Sequence, residues 1–391
     1  MNDQLLLSPR LDDTTRSLAE AAWRNWLKRQ PQGEPWLGLM TSGSKTGWGR
    51  VVVQSRPRLE AAAKGLISVL GCKPQEVWLG VLPEHHVAGL AVRIRSEVSS
   101  GTVIRFEELD QKGWSAKLFS QLLIRSTSRP INWLSLVPAQ LHDLVQAQVT
   151  APTSLRGTLV GAGHLTDDLA RRASALGWRP RATYASTEAG ATVALGPEGL
   201  GGDALRFRFL PHIKGYQTRS GTLGLSGESV ALGRIDIQTQ AWTSFDGAYD
   251  TGDHVELTDQ GHEFRLIGRV DQRVKILGET VDLAELRESF QKLCAQNLDA
   301  GLEAELLAVR DPRAGAKLVA LFAGREALSL ERQASAVLAA FQDLARPFER
   351  IQHSHFLESV PRSDLGKPLW SRALIDLGYQ PLADEVRDTA F

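Results

Sequence analysis

The side chains with the clearest chemistry cluster in Tyr249-Asp250-Thr251-Gly252-Asp253 and in the later run Ile267-Gly268-Arg269-Val270-Asp271-Gln272-Arg273-Val274-Lys275-Ile276-Leu277-Gly278. Asp253 offers an acceptor and Arg269 a cation, a pair suited to a polyol phosphate such as a nucleotide. Upstream, Thr41-Ser42-Gly43-Ser44-Lys45-Thr46-Gly47-Trp48-Gly49-Arg50 is rich in glycine and hydroxyls. Glycines let successive N–H groups converge, and hydroxyls add donors, so such a run can cradle phosphate. A Walker A pattern fails here by one residue, because position 44 is Ser and the lysine arrives at Lys45. A flexible surface loop accounts for the run equally well. Thr187 and Glu188, in Ala185-Ser186-Thr187-Glu188-Ala189-Gly190, could donate to a phosphate and hold a hard cation. A helix N-cap at Thr187 is the simpler reading of that motif alone.

These groups need a scaffold, and the chain predicts one of alternating strands and helices. An amphipathic helix is expected over 14–29, capped by Thr14 or Thr15. Residues 36–40 read as a buried strand, 59–70 as a helix, and 76–83 as a strand that delivers Glu84-His85-His86 to its end. A strand over 132–138 leads to a helix over 139–148, and 158–160 leads to Gly161-Ala162-Gly163. Those small residues either leave room for something bulky or permit a tight turn. Thr166 caps the next helix, and 181–184 is a strand ending at Tyr184. Between 195 and 249 short alternating stretches predict an antiparallel layer. The tail is α+β: a helix opening at Val281, strands at 306–309, 318–322 and 355–357, and a helix over 328–344.

The chain has 391 residues, enough for two domains, of which 42% are hydrophobic and 23% charged. Lys plus Arg and Asp plus Glu are both 45, so no net field recruits nucleic acid or an anionic membrane. Cys72 and Cys294 have no metal-ligand or disulfide spacing, and a reducing cytoplasm is expected. The N-terminus has no signal-peptide pattern, and no apolar run reaches the roughly 18 residues of a membrane span.

In order, the hydroxyl–glycine loop, the Tyr-x-x-Thr-Glu turn, the Tyr-x-Thr-Gly-Asp turn, the Gly-Arg-x-Asp-x-x-x-Lys-x-x-Gly run and a late Gly366-Lys367 loop resemble the adenylate-forming superfamily of acyl-CoA synthetases, adenylation domains and luciferases. The resemblance covers roughly residues 36–375. It implies an α/β N-terminal domain of layered sheets with a small β-subdomain over 1–270, and a smaller mobile α+β lid over 271–391 hinged at Asp271. It also implies ATP, Mg²⁺ and coenzyme A as co-substrates. The loop Thr41, Ser42, Gly43, Ser44, Thr46, Gly47 and Arg50 would embrace the β- and γ-phosphates. Thr187 would meet the α-phosphate and Glu188 the metal. Gly161, Ala162 and Tyr184 would border adenine, Asp253 would take the ribose and Arg269 the ribose or phosphate. Gly163 would lie along the acyl pocket, and Lys367 would bridge the substrate carboxylate and the α-phosphate. Lys275 and Gly278 would face the thiol half-reaction.

The chain departs from the family pattern in Lys45, which is extra, in Gly49 for the usual proline, in Arg50 for the usual lysine, and in Ala185 for the usual glycine. An abbreviated N-terminal subdomain is the expectation. Leu82-Pro83-x-His85-His86-Val87-Ala88-Gly89 and Ser135-Leu136-Val137-Pro138-Ala139-Gln140-Leu141 look similar to the o-succinylbenzoate–CoA ligases of menaquinone and phylloquinone biosynthesis. The implied partners are a small carboxylic acid, ATP and CoA, and a homodimer is compatible. A diacid needs a second donor or cation, for which His86, Ser135 or a nearby arginine are candidates. The alternatives are another aryl- or fatty-acyl-CoA ligase, or a non-catalytic adenylate-binding homologue. Lys367→Ala is expected to slow adenylate formation about a hundredfold or more while sparing thioesterification of a supplied acyl adenylate. Equal loss of both half-reactions, measured separately, removes Lys367 from that role.

Overall fold

The computed structural model describes residues 3–9, 11–30, 35–41, 49–106, 109, 112–125, 130–163, 165–202, 204–258, 260–269, 273–277, 279–299, 301–311, 313–324, 327–362, 368–380 and 382. Those up to Ile267 form one compact unit, and those from Gly268 onward a second. The expected hinge residue Asp271 lies outside the described residues, as do Gly278 and Lys367.

An eleven-stranded sheet is the frame of the first unit. Its parallel half runs Thr102–Arg105, Val77–Gly80, Ile131–Leu136, Gly157–Val160, Pro180–Ser186. Ala191–Glu198 turns back antiparallel, and the sheet continues through Arg206–Phe209, Glu263–Arg269, Ala248–Leu257, Thr222–Gly227 and Ile213–Gln217. Side chains alternate between faces along a strand. Leu79, Leu134, Leu136 and Val160 therefore share a core with Phe119, Leu141 and Trp178, while Trp78, Trp133 and Leu159 pack on the opposite face against Leu66 and Val92. Those last two come from helices Arg56–Leu70 and Val87–Val98. Trp78 and Trp133 stack at 5.6 Å. Ser135 falls between Leu134 and Leu136, so it shares the Trp133 face and looks toward helix Val87–Val98.

Expected strand 76–83 is shorter, Val77–Gly80. Glu76 instead accepts from Trp133 Nε1 at 2.7 Å, and Pro83 has no N–H for a ladder.

A five-stranded sheet orders Gln4–Leu6, Trp36–Thr41, Arg50–Ser55, Gly233–Asp236 and Trp242–Ser244. The antiparallel stretch expected over 195–249 is thus shared between two sheets. Helix Asp13–Leu27 covers this sheet through contacts among Trp23, Trp26, Trp36 and Trp242. Its cap is Asp12, whose Oδ1 accepts from Thr15 N at 2.9 Å, and not Thr14 or Thr15. Thr15 supplies the N–H that the carboxylate satisfies.

The second unit is α+β. A hairpin of Arg273–Ile276 and Glu279–Asp282 precedes helix Leu283–Asn297. The helix expected from Val281 starts two residues later, because buried Val281 pairs with Val274 across the hairpin. Strands Glu303–Asp311, Gly315–Ala323 and Ile351–Leu357 follow, with helix Ala327–Leu344 before the last. Phe290, Phe322 and Phe341 form its centre.

A glycine governs how helix Val87–Val98 meets the sheet. A Cβ on Gly89 would lie 2.2 Å from the Pro83 carbonyl oxygen. Gly89→Ala is expected to destabilise the first unit by about 1–3 kcal/mol, lowering Tm by several degrees. An unchanged Tm in thermal melts would show that the helix start relaxes freely.

Candidate active site

Two adjoining cavities open at the ends of the parallel strands, where α/β sheets gather ligands. One, of about 240 Å³, is lined by Met40, His86, Arg95, Ser135, Val137 and Thr187 among others. The second, of about 300 Å³, is lined by Gly163, Tyr184, Leu205, Phe207 and Leu266 among others. Ala162, Thr183 and Ala185 border both. The small residues at 161–163 serve their own turn first. A Cβ on Gly161 would stand 2.6 Å from Thr183 Oγ1, and Ala162 takes the left-handed conformation at φ 60°.

Arg95 is the unusual group. It is only 4% exposed. Its Nη2 donates to Thr192 Oγ1 at 2.9 Å, its Nη1 lies 3.5 Å from Ser135 Oγ, and its guanidinium sits 5.8 Å over the Trp78 ring. Among the described residues no carboxylate pairs with it. Burial pulls its pKa down to about 10, so it stays charged at neutral pH. Sequence reading left the second cation unplaced. The signal was there: Arg95 follows Ala88 and Ala91 at i+7 and i+4, on one helix face.

Thr187 and Glu188 lie on the 3₁₀ turn Thr187–Ala189. Ser186, not Thr187, is its cap, accepting from Ala189 N at 3.2 Å. Buried Gln54 donates to the Thr187 carbonyl at 3.0 Å, Ala231 N donates to the Glu188 carbonyl at 2.8 Å, and Ser229 Oγ to the Ala189 carbonyl at 2.8 Å. Ser186 Oγ donates to Glu188 Oε2 at 3.2 Å. Among the described residues no group of three His, Cys, Asp or Glu side chains could hold a metal. A lone carboxylate nevertheless fits Mg²⁺, which keeps most of its waters and shares phosphate oxygens.

Asp253 is buried and accepts from the Tyr184 hydroxyl. Gly252 turns the chain there at φ 72°, and Asp250 Oδ1 accepts from its N–H at 2.9 Å. Tyr184 packs edge-on to Phe264 at 5.1 Å. Of the other expected site residues, Thr41 and Arg50 pair across the base of their hairpin. Ser42, Gly43, Ser44, Lys45, Thr46, Gly47 and Lys367 lie outside the described residues, and Arg269 is described only as the last residue of its strand. Burial pushes the Cys72 and Cys294 thiols up to about 12, so neither is a thiolate nucleophile at neutral pH.

Burial, and then the Arg95 charge, hold His212 down at about 4 from 6.5. Between those values the unfolded chain takes up a proton that the folded chain refuses. The stability this contributes is full above pH 6.5 and is lost as pH falls toward 4. His212→Gln is expected to flatten that limb of the Tm–pH curve. A variant curve parallel to wild type would assign the acid loss to other groups.

No family model matches the chain. It is 29% identical over 236 residues to a 2-succinylbenzoate–CoA ligase of Staphylococcus epidermidis, a match of 57% of this chain and 47% of that protein's length. It is 24% identical over 349 residues to the corresponding ligase of Enterococcus faecalis, covering 84% of this chain and 67% of the relative. Among solved structures, o-succinylbenzoate CoA synthetase from Bacillus subtilis, in complex with ATP and magnesium, superposes with a TM-score of 0.65 at 20% identity, over 85% of this chain and 68% of that one. ATP-bound MatB from Rhodopseudomonas palustris gives 0.66 at 20% identity, over 87% and 68%. The chain thus shares the fold of these solved structures, and in sequence it is similar to 2-succinylbenzoate–CoA ligases over part of their length.

Proposed function

We propose that the chain is an ATP-dependent carboxylate–CoA ligase that forms an acyl adenylate and then an acyl-CoA thioester, with o-succinylbenzoate as its acid. The observation that carries the choice of acid is Arg95. A buried guanidinium whose partners among the described residues are hydroxyls and an indole face costs several kcal/mol of desolvation. A ligand carboxylate in the same cavity would offset that cost. A monoacid leaves Arg95 uncompensated, whereas a diacid can give one carboxylate to Arg95 and present the other toward Thr187. His86 and the apolar wall at Val137 would flank the ring.

The second cavity supports the nucleotide half of the reading. Its mostly apolar walls suit adenine beside Tyr184, with Asp253, hydrogen-bonded to Tyr184, at hand for the ribose. Activation joins the acid to the α-phosphorus and expels pyrophosphate, so anion meets anion. Thr187 would donate to the α-phosphate. Mg²⁺, when bound, neutralises phosphate charge, and Glu188 is the residue that would hold it. Lys367 would supply the second cation. No helix among the described residues is long and apolar enough to cross a membrane, and we assign the chain to the cytoplasm, where ATP and CoA are supplied.

Pyrophosphate release with ATP, Mg²⁺ and a panel of acids, with and without CoA, tests this. The expected result is CoA-dependent turnover of o-succinylbenzoate. Turnover of a different acid keeps the ligase and discards the substrate, and ATP binding without release from any acid discards the ligase. Arg95→Leu is expected to lower kcat/KM for o-succinylbenzoate about a hundredfold, with far less effect on an analogue lacking the aromatic carboxylate. Equal losses on both compounds would remove Arg95 from acid recognition.

A further inference from the structure

Strand Arg50–Ser55 pairs antiparallel with Gly233–Asp236, setting Arg234 opposite Val52 and Asp236 opposite Arg50. Residues opposite each other, and residues two apart along a strand, share a face. Arg50, Val52, Gln54, Arg234 and Asp236 therefore look the same way. The direction is fixed by their neighbours: Val52 packs with Ala189 and Phe245, and Gln54 reaches the Thr187 carbonyl. That face bears the turn carrying Glu188. Arg234 lies with its guanidinium 5.9 Å from the Phe245 ring centre, and Phe245 is 4.9 Å from the Tyr249 ring.

Two half-buried guanidinium groups thus share one face, and among the described residues neither has a carboxylate within ion-pair distance. Asp236, the acid nearest by register, spends Oδ1 on its own turn, accepting from Gln238 N at 3.1 Å, Thr239 N at 2.9 Å and Thr239 Oγ1 at 3.0 Å. Burial, and next the Arg234 charge, leave Arg50 below the usual guanidinium range, despite the opposing pull of Asp236, Tyr249 and Glu188. Like charges held together at partial burial repel each other, and an anion bridging them reverses the sign.

We infer that Arg234, with Arg50, forms a two-guanidinium seat for a diphosphate group, either free pyrophosphate or the β,γ-end of ATP. Its place in catalysis rests on the adenylation reading; its binding of the anion does not. In that seat Arg234 supplies a second fork for the terminal phosphates, next to an Arg50 that stands where a lysine is usual.

Calorimetric titration with inorganic pyrophosphate, ATP and AMP separates the possibilities. Arg234→Gln is expected to weaken pyrophosphate and ATP roughly tenfold or more and to leave AMP unchanged, since AMP lacks the outer phosphates. Arg234→Lys, which keeps the charge, is expected to lose less. Wild-type silence toward pyrophosphate, an Arg234→Gln variant that binds it normally, or equal losses for AMP and pyrophosphate would each overturn the seat. A failed acid panel alongside selective loss of pyrophosphate binding would discard the ligase and keep the seat.

Discussion

A charge inside an apolar layer dictates much of this architecture. Arg95 projects from its helix toward the sheet, only 4% exposed, and the surroundings are arranged to tolerate it. Trp78 offers an aromatic face, and Ser135 and Thr192 offer hydroxyls. His212 nearby stays neutral. The helix must start hard against the strand end to bring Arg95 into register, which is why Gly89 has no room for a side chain. The same contact that sets the helix therefore sets the charge.

The second constraint is the turn at 187–189. Three main-chain carbonyls in a row are taken by Gln54, Ala231 and Ser229. These partners come from the five-stranded sheet and the segment leading into it. Thr187 and Glu188 thus project from a backbone tied down from outside its own strand, which is how a short turn can hold two polar side chains in fixed positions.

Much of this was legible in the chain. The order of motifs identified the fold, and the resemblance named Ser135 as a candidate donor, which the structure places in the cavity lining. Local rules failed where tertiary partners decide. Thr14 and Thr15 looked like caps, but the helix starts earlier, at Asp13, and the carboxylate of Asp12 caps it by accepting from Thr15 N. Val281 looked helical, yet its pairing with Val274 holds it in a hairpin. Arg95 and Arg234 were missed for a shared reason. A lone arginine in sequence is usually a solvated one; depth of burial on its helix sets Arg95 apart, and cross-strand register sets Arg234 apart.

The stacking of Arg95 over Trp78 has an optical consequence. An indole excited state redistributes charge across the ring, so its emission follows the local electric field. Trp78 is fully shielded from water and lies beneath a permanent cation. Neutralising that cation with an anion alters the field at the ring without altering its hydration. The protein thus carries an intrinsic fluorophore at the site where a carboxylate would arrive, and Trp133, stacked on Trp78, is placed to share its excitation.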